Sequence, residues 1–258
     1  MIYKLKKLFS LLSSLKSKKE NYLKYQSIIF DKYNLDRRIG ENLLNKITLE
    51  NTFLNSAMNS EHQIIFSSFS NQKKNIKKIL EIGTYDGKNA FLLSKLYPDT
   101  KITTIDLPDE NKKFETYYER NRNPKFSNFI EKRDKLIESC NNVTFKKINS
   151  INLLFEEEKF DIIWIDGAHG YPFVTIDIIN ALRLCNHEGI IMCDDVIKHK
   201  VKNPDEMYYS NASLETLKLL ADEKILFFDL FLKRLEKKYN YFLPEQKFIA
   251  IIKKIKKF

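Results

Sequence analysis

From residue 76 onward the sequence alternates short apolar runs with amphipathic segments, and this alternation constrains the fold most strongly. The apolar runs are IKKILEIG (76–83), KITTIDL (101–107), VTFKKIN (143–149), FDIIWID (160–166) and GIIMCDD (189–195). Near-continuous apolar runs of this length fit strands buried on both faces. Between them lie segments with helical spacing: NAFLLSKLY (89–97), stopped by Pro98; the charged stretch 108–142; YPFVTIDIINALRLC (171–185), with Pro172 in its first turn; and LETLKLLADE (214–223). Strands and helices that alternate across short turns predict an α/β, doubly wound and mostly parallel sheet over residues 76–258. YNYFL and KFIAIIKK read as a closing pair of strands.

Residues 1–75 carry no strand signal. They read as helices broken near Gly40 and around Asn51–Ser60, an N-terminal helical extension serving as a lid or an oligomer contact. Ile2, Leu5, Leu8, Phe9, Leu12 and Leu15 fall at helical spacing in a basic segment. Such a helix packs on the domain or on a second subunit; weak contact with an anionic membrane surface is the alternative. The segment lacks a small-residue cleavage site, which argues against a signal peptide. No apolar run approaches the roughly eighteen residues that span a bilayer.

A chain of 258 residues suffices for one sizeable core. The net charge of +10 comes from lysines scattered along the chain, so a solvated face is expected and nucleic acid is not the expected partner. Three cysteines, Cys140, Cys185 and Cys193, form no CxxC pair and no disulfide framework. They fit a reducing, cytoplasmic compartment, with a peripheral position at the inner membrane as the variant that the basic N-terminus allows.

There are six glycines. Gly83, Gly87, Gly167, Gly170 and Gly189 all sit at strand boundaries of the α/β region, where backbone turns sharply or approaches something closely. The first such turn is EIGTYDGKNA (81–90), which places Glu81, Gly83, Thr84, Tyr85 and Gly87 between a strand and a helix N-terminus able to receive an anionic group. The next strand ends in Asp106, placed to accept hydrogen bonds from ribose hydroxyls. Tyr85 stands where a dinucleotide fingerprint has its middle glycine, so the loop fits a ligand without pyrophosphate.

These segments, with FDIIWIDGAHGY and EGIIMCDD, resemble class I S-adenosylmethionine-dependent methyltransferases from about Lys77 to the C-terminus. The resemblance implies a seven-stranded Rossmann-like sheet whose last strand runs antiparallel. It also implies a cofactor held by Glu81, Gly83, Thr84, Tyr85, Gly87 and Asp106, with Asn149 and Ser150 at the adenine and Asp166 beside it.

Asp166 ends one predicted strand, and Asp194 and Asp195 end the next. Three carboxylates outside neighbouring strand ends crowd one crevice, and a hard divalent cation such as Mg²⁺ relieves their repulsion. Each could instead cap a turn. His169, between glycines and beside that cluster, can act as a general base or merely complete a loop. The set resembles the metal-dependent sugar O-methyltransferases, the macrocin O-methyltransferase-like subgroup. That resemblance implies Asp166, Asp194 and Asp195 as Mg²⁺ ligands, and His169 with Asp166 as the catalytic pair. The expected acceptor is a sugar or glycan-like small molecule. Residues 108–142 and 196–213 are the expected lid, with Tyr117, Tyr118, Phe126, Tyr208 and Tyr209 as candidate ring-stacking groups and His62 within reach. The alternatives are a metal-independent methyltransferase acting on another small molecule or RNA, and a non-catalytic cofactor-binding scaffold; a homo-oligomer is compatible with each.

Overall fold

The apolar runs pair side by side into one sheet in a computed structural model, which describes residues 20–56, 60–72, 75–111, 125–235 and 246–255. Its strands are β1 (Lys78–Ile82), β2 (Lys101–Asp106), β3 (Val143–Lys147), β4 (Phe160–Ile165), β5 (Cys185–Ile197), β6 (Leu226–Leu232) and β7 (Lys247–Lys254). Their order is β3-β2-β1-β4-β5-β7-β6. β1 pairs with β2 and β4, β2 with β3, and β4 with β5, all parallel, whereas β7 is antiparallel to both β5 and β6. The helices are α1 (20–32), α2 (Arg37–Glu50), α3 (Glu61–Ser70), α4 (Lys88–Leu96), α5 (Lys125–Glu138), α6 (Phe173–Leu184) and α7 (Ala212–Asp222).

Strand alternation divides the core between the two faces of the sheet. Leu80, Ile82, Ile163 and Ile165 point to α6 and α7, where Val174, Ile178, Ala181 and Leu217 are buried. Ile79, Ile162, Trp164 and Met192 point the other way, to α1, α3 and α4, against Phe30, Ile65, Phe66 and Leu93. Each such side chain contributes about 1.5–3 kcal/mol by leaving water. The helices ahead of residue 71 therefore share a core with the sheet.

Gly40 is not a break. It lies inside α2, where a Cβ would come within 2.4 Å of Ile64 O on α3. Glycine is there because two helix backbones cross closely, a packing reason that a breaker reading misses. The chain instead breaks at residues 33–36, where Asn34 takes a positive φ of 54° and Asp36 caps α2 by accepting from Ile39 N at 3.1 Å. Around Asn51–Ser60 the helix does end, at Glu50, followed by a 3₁₀ turn over Thr52–Ser56.

The closing strand pair also differs from expectation. KFIAIIKK is β7, but its partner is LFFDLFL, in register from Leu226 opposite Lys254 to Leu232 opposite Phe248. Asp229 breaks the apolar run of β6 because it faces α1, accepting from Lys32 Nζ at 2.7 Å and Tyr33 Oη at 3.0 Å. YNYFL (239–243) lies outside the described residues, as do the proposed amphipathic helix of residues 1–19 and Tyr117 and Tyr118; the Phe126 side chain is likewise not described. All three cysteines are free and buried. Among the described residues no helix is long and apolar enough to cross a membrane.

Candidate active site

Parallel strands deliver their last residues to one edge of the sheet. The strand order reverses between β1 and β4, so a crevice opens between their ends. Gly83 N donates to Ile105 O at 2.9 Å and Asp166 N to Ile82 O at 2.8 Å, which ties the exits of β1, β2 and β4 together. A cavity of about 540 Å³ runs from the turn after β1 past Asp106 to His169, Asp194 and Asp195. Glu81, Gly83, Thr84, Tyr85, Asn149, Ser150 and Asp166 also line it. Gly87 does not. It takes a φ of 76° as the N-cap of α4 and sits under Ile137 and Arg133 of α5, so it shapes the turn from behind.

On the β1–β2 side, the Asp106 carboxylate accepts from Tyr85 N and from Leu107 N, both at 2.8 Å. Glu81 is turned into the protein, accepting from Asn89 Nδ2 at 2.7 Å and Thr104 Oγ1 at 2.5 Å. Burial pushes its carboxyl up to about 7, against the pull of those hydrogen bonds. Thr84 Oγ1 likewise turns inward, 2.6 Å from Thr104 Oγ1. Tyr85 is exposed, with its ring 5.4 Å from that of Phe129. Asn149 caps the following turn by accepting from Ile151 N at 3.0 Å, and Ser150 hydrogen-bonds Asp177.

At the other end, β5 carries a bulge between Cys193 and Val196, and Asp195 takes a positive φ of 51°. Successive strand residues normally point to opposite faces; the bulge lets Asp194 and Asp195 reach the same partner. That partner is Lys233, just past β6. Its Nζ donates to Asp194 Oδ2 and, at 2.6 Å, to Asp195 Oδ1. Lys247, at the start of β7, donates to the other Asp195 oxygen and to Tyr208 O at 3.1 Å. Burial works against the Lys233 charge, but Asp194, Asp195 and Asp166 outweigh it and raise its pKa. Burial would raise the Asp195 carboxyl too, yet Lys233, His169 and Lys247 hold it well below the usual range. Asp166, without such a pair, is pushed well up by burial and by Asp194.

His169 is 4% exposed. Its backbone N donates to Met207 O at 2.7 Å, and its Nε2 lies 3.7 Å from both Asp166 Oδ1 and Asp195 Oδ2. Burial lowers its pKa more than the Asp195 and Asp194 carboxylates raise it, so the ring is neutral near pH 7. Residues 199–211, part of the expected lid, carry Asp205, Met207 and Tyr208 to the cavity wall, whereas Tyr209 pairs with His199 outside it. His62, on α3, does reach the cavity; its ring lies 4.8 Å from Trp164, and burial holds it down to about 4.

Lys233 and Lys247 were invisible to sequence reasoning. Nothing in LKRLEKK or QKFIAII separates a buried lysine from the many exposed ones, and LFFDLFL, which would have put Lys233 at a strand end, carries an aspartate in its middle. Asp177 behind the site is a second surprise: it is 1% exposed, its Oδ1 lacks a hydrogen-bond partner, and burial pushes it up to about 7 against the help of Ser150. A carboxyl whose folded pKa exceeds its unfolded value destabilises the fold as pH rises, here between about 4 and 7. Asp177→Asn is therefore expected to flatten the stability–pH profile and to gain up to a few kcal/mol at pH 8, with little change at pH 4, in urea unfolding.

Comparison with known proteins agrees with this geometry. Residues 80–196 match a family model described as a methyltransferase domain. The matched residues run from β1 to β5, and they support an enzyme of the methyltransferase class. No curated protein matches the sequence. Among solved structures, the chain is similar to a candidate O-methyltransferase from Klebsiella pneumoniae, with 16% identity, 82% of this chain and 89% of that one covered, and a TM-score of 0.54. It is also similar to a cofactor-bound protein from MTB, with 14% identity, coverage of 96% and 91%, and a TM-score of 0.53. A third is the O-methyltransferase TomG from Streptomyces achromogenes, of tomaymycin synthesis and in complex with SAM, with 14% identity, coverage of 69% and 73%, and a TM-score of 0.50. At these identities the likeness is one of fold.

Proposed function

We propose that this chain transfers a methyl group from S-adenosylmethionine to a hydroxyl oxygen of a small, sugar-like or glycan-like acceptor. The observation that carries this reading is a cavity with a nucleoside-type end at Asp106 and a carboxylate–imidazole end at His169. S-adenosylmethionine, when bound, supplies a sulfonium methyl that is already a good electrophile. The chain's task is then positioning and proton removal. The Gly83 turn and Lys88 at the start of α4 line the cavity, so a ligand there meets a helix N-terminus. Asp106, at the end of β2, lines the cavity where an acidic side chain can accept from ribose hydroxyls. Neutral His169 can take the acceptor's proton. The acceptor end is rich in polar groups, Gln63, His169, Tyr208 and Lys233 among them, which suits a polyhydroxylated molecule. In this reading the N-terminal extension supplies one wall through Leu54, His62 and Gln63.

A magnesium ion held by Asp166, Asp194 and Asp195 does not fit the donor set as folded. Three of the four oxygens of Asp194 and Asp195 already hold ammonium groups. Among the described residues no group of three or more His, Cys, Asp and Glu side chains is arranged to hold a metal ion.

Calorimetric titration with S-adenosylmethionine tests the donor end. Asp106→Ala is expected to weaken binding about tenfold or more, the loss of charge-assisted hydrogen bonds. Labelled methyl transfer to a panel of sugars, nucleotide sugars and phenolics tests the acceptor end. A folded chain that binds no S-adenosylmethionine would sink the proposal.

A further inference from the structure

We propose that the ammonium of Lys233 is the resident cation of this site. It stands where the metal-dependent enzymes that the sequence resembles would hold a divalent ion, so the chain carries its own counter-charge and works without metal. The inference rests on the methyl-transfer reading above and names what organises its acceptor end.

The lysine is built in. Its side chain is 4% exposed. Its backbone is clamped on both sides: Lys233 N donates to Lys247 O at 3.0 Å, and Lys233 O accepts from Glu61 N at 2.8 Å. Burying an ammonium costs several kcal/mol unless it is fully paired, and here two carboxylates pair it. The arrangement also depends on the β5 bulge that turns Asp194 and Asp195 toward one point, so strand geometry and lysine position are matched.

The lysine and a divalent ion are mutually exclusive. Mg²⁺ needs near-octahedral oxygens at about 2.0–2.1 Å. The point where the Asp194 and Asp195 oxygens converge is held by the Lys233 Nζ, and Lys247 takes the remaining Asp195 oxygen. A metal entering that point would meet two ammonium groups at contact distance. An ammonium has three N–H donors. Two are spent on Asp194 and Asp195; the third is available to an acceptor oxygen, since Lys233 lines the cavity. Lys233 thereby does by hydrogen bonding what a metal does by coordination: it fixes an oxygen beside His169.

The test uses the full-length chain and Mn²⁺ as probe. Wild-type protein is expected to leave the electron paramagnetic resonance signal of free Mn²⁺ unchanged and to transfer methyl groups equally in EDTA and in MgCl₂. Lys233→Met frees carboxylate oxygens and is expected to take up one Mn²⁺, with its thermal midpoint raised by Mn²⁺ while that of wild type is not. Stoichiometric Mn²⁺ binding by wild type, or turnover abolished by EDTA, overturns the proposal. So does a folded Lys233→Met chain that binds no Mn²⁺. The wild-type arms decide the matter even if Lys233→Met does not fold. Calorimetry with S-adenosylmethionine in EDTA separates the two readings: donor binding retained with metal-dependent turnover discards the lysine alone, and no donor binding discards the methyl-transfer reading itself.

Discussion

His169→Ala is expected to lower kcat for methyl transfer by about 10²–10⁴-fold, the range for a lost general base, with little change in affinity for S-adenosylmethionine. The imidazole is held by a backbone bond to Met207 O and by burial, with its Nε2 equidistant from Asp166 and Asp195. It lies at the far end of the cavity from Asp106, so removing the ring leaves the donor end intact. The sign of the pH dependence follows. A base must be unprotonated, and burial lowers the His169 pKa below its usual 6.5, so activity should fall only on the acid side, below that value. His169→Ala should erase that acid limb. A histidine that merely completes a turn would behave differently: its loss would lower the thermal midpoint while kcat per folded molecule and the acid limb stayed as in wild type.

Much of this site was legible because parallel strands put their last residues at one edge. Asp106, Asp166 and the Asp194–Asp195 pair each follow an apolar run, and all four arrive at the crevice as the α/β alternation requires. What the sequence hid was decided by tertiary geometry. Gly40 has the composition of a break but serves a helix crossing. Thr104, unremarkable in KITTID, binds both Glu81 and Thr84 from the neighbouring strand, a pairing set by β1–β2 register. The bulge in β5 has no residue signature, since Asp195 takes its positive φ without a glycine. Lys233 is the extreme case. Its neighbours in space, Asp194, Asp195 and Glu61, are brought to it by two separate elements, β5 and α3, and an excess of surface lysines masks it in the sequence.

Gly83→Ala is expected to be among the most disruptive single methyl additions at the crevice. Gly83 has a φ of 103°, and an added Cβ would lie 2.3 Å from Asp166 O, 2.6 Å from Asp166 C and 2.9 Å from Gly167 N. All three are backbone atoms, so no side-chain rotation relieves the clash. The strand exits must separate, which breaks the bonds from Gly83 N to Ile105 O and from Asp166 N to Ile82 O. Positive-φ strain of about 1–3 kcal/mol adds to overpacking of similar size, so the thermal midpoint should drop by on the order of 10 °C. Because the same movement displaces the turn toward Asp106 and the chain that carries Asp166 and His169, donor binding and turnover should fall together. Gly167→Ala supplies the contrast. Its Cβ would meet nothing closer than 3.6 Å, at Asp177 Oδ2 and Ile82 Cγ2, which is ordinary van der Waals contact. That variant should fold with a midpoint close to wild type. If Gly83→Ala were as stable as Gly167→Ala, the β1 and β4 exits would not be packed as described, and the crevice between them would have to be built another way.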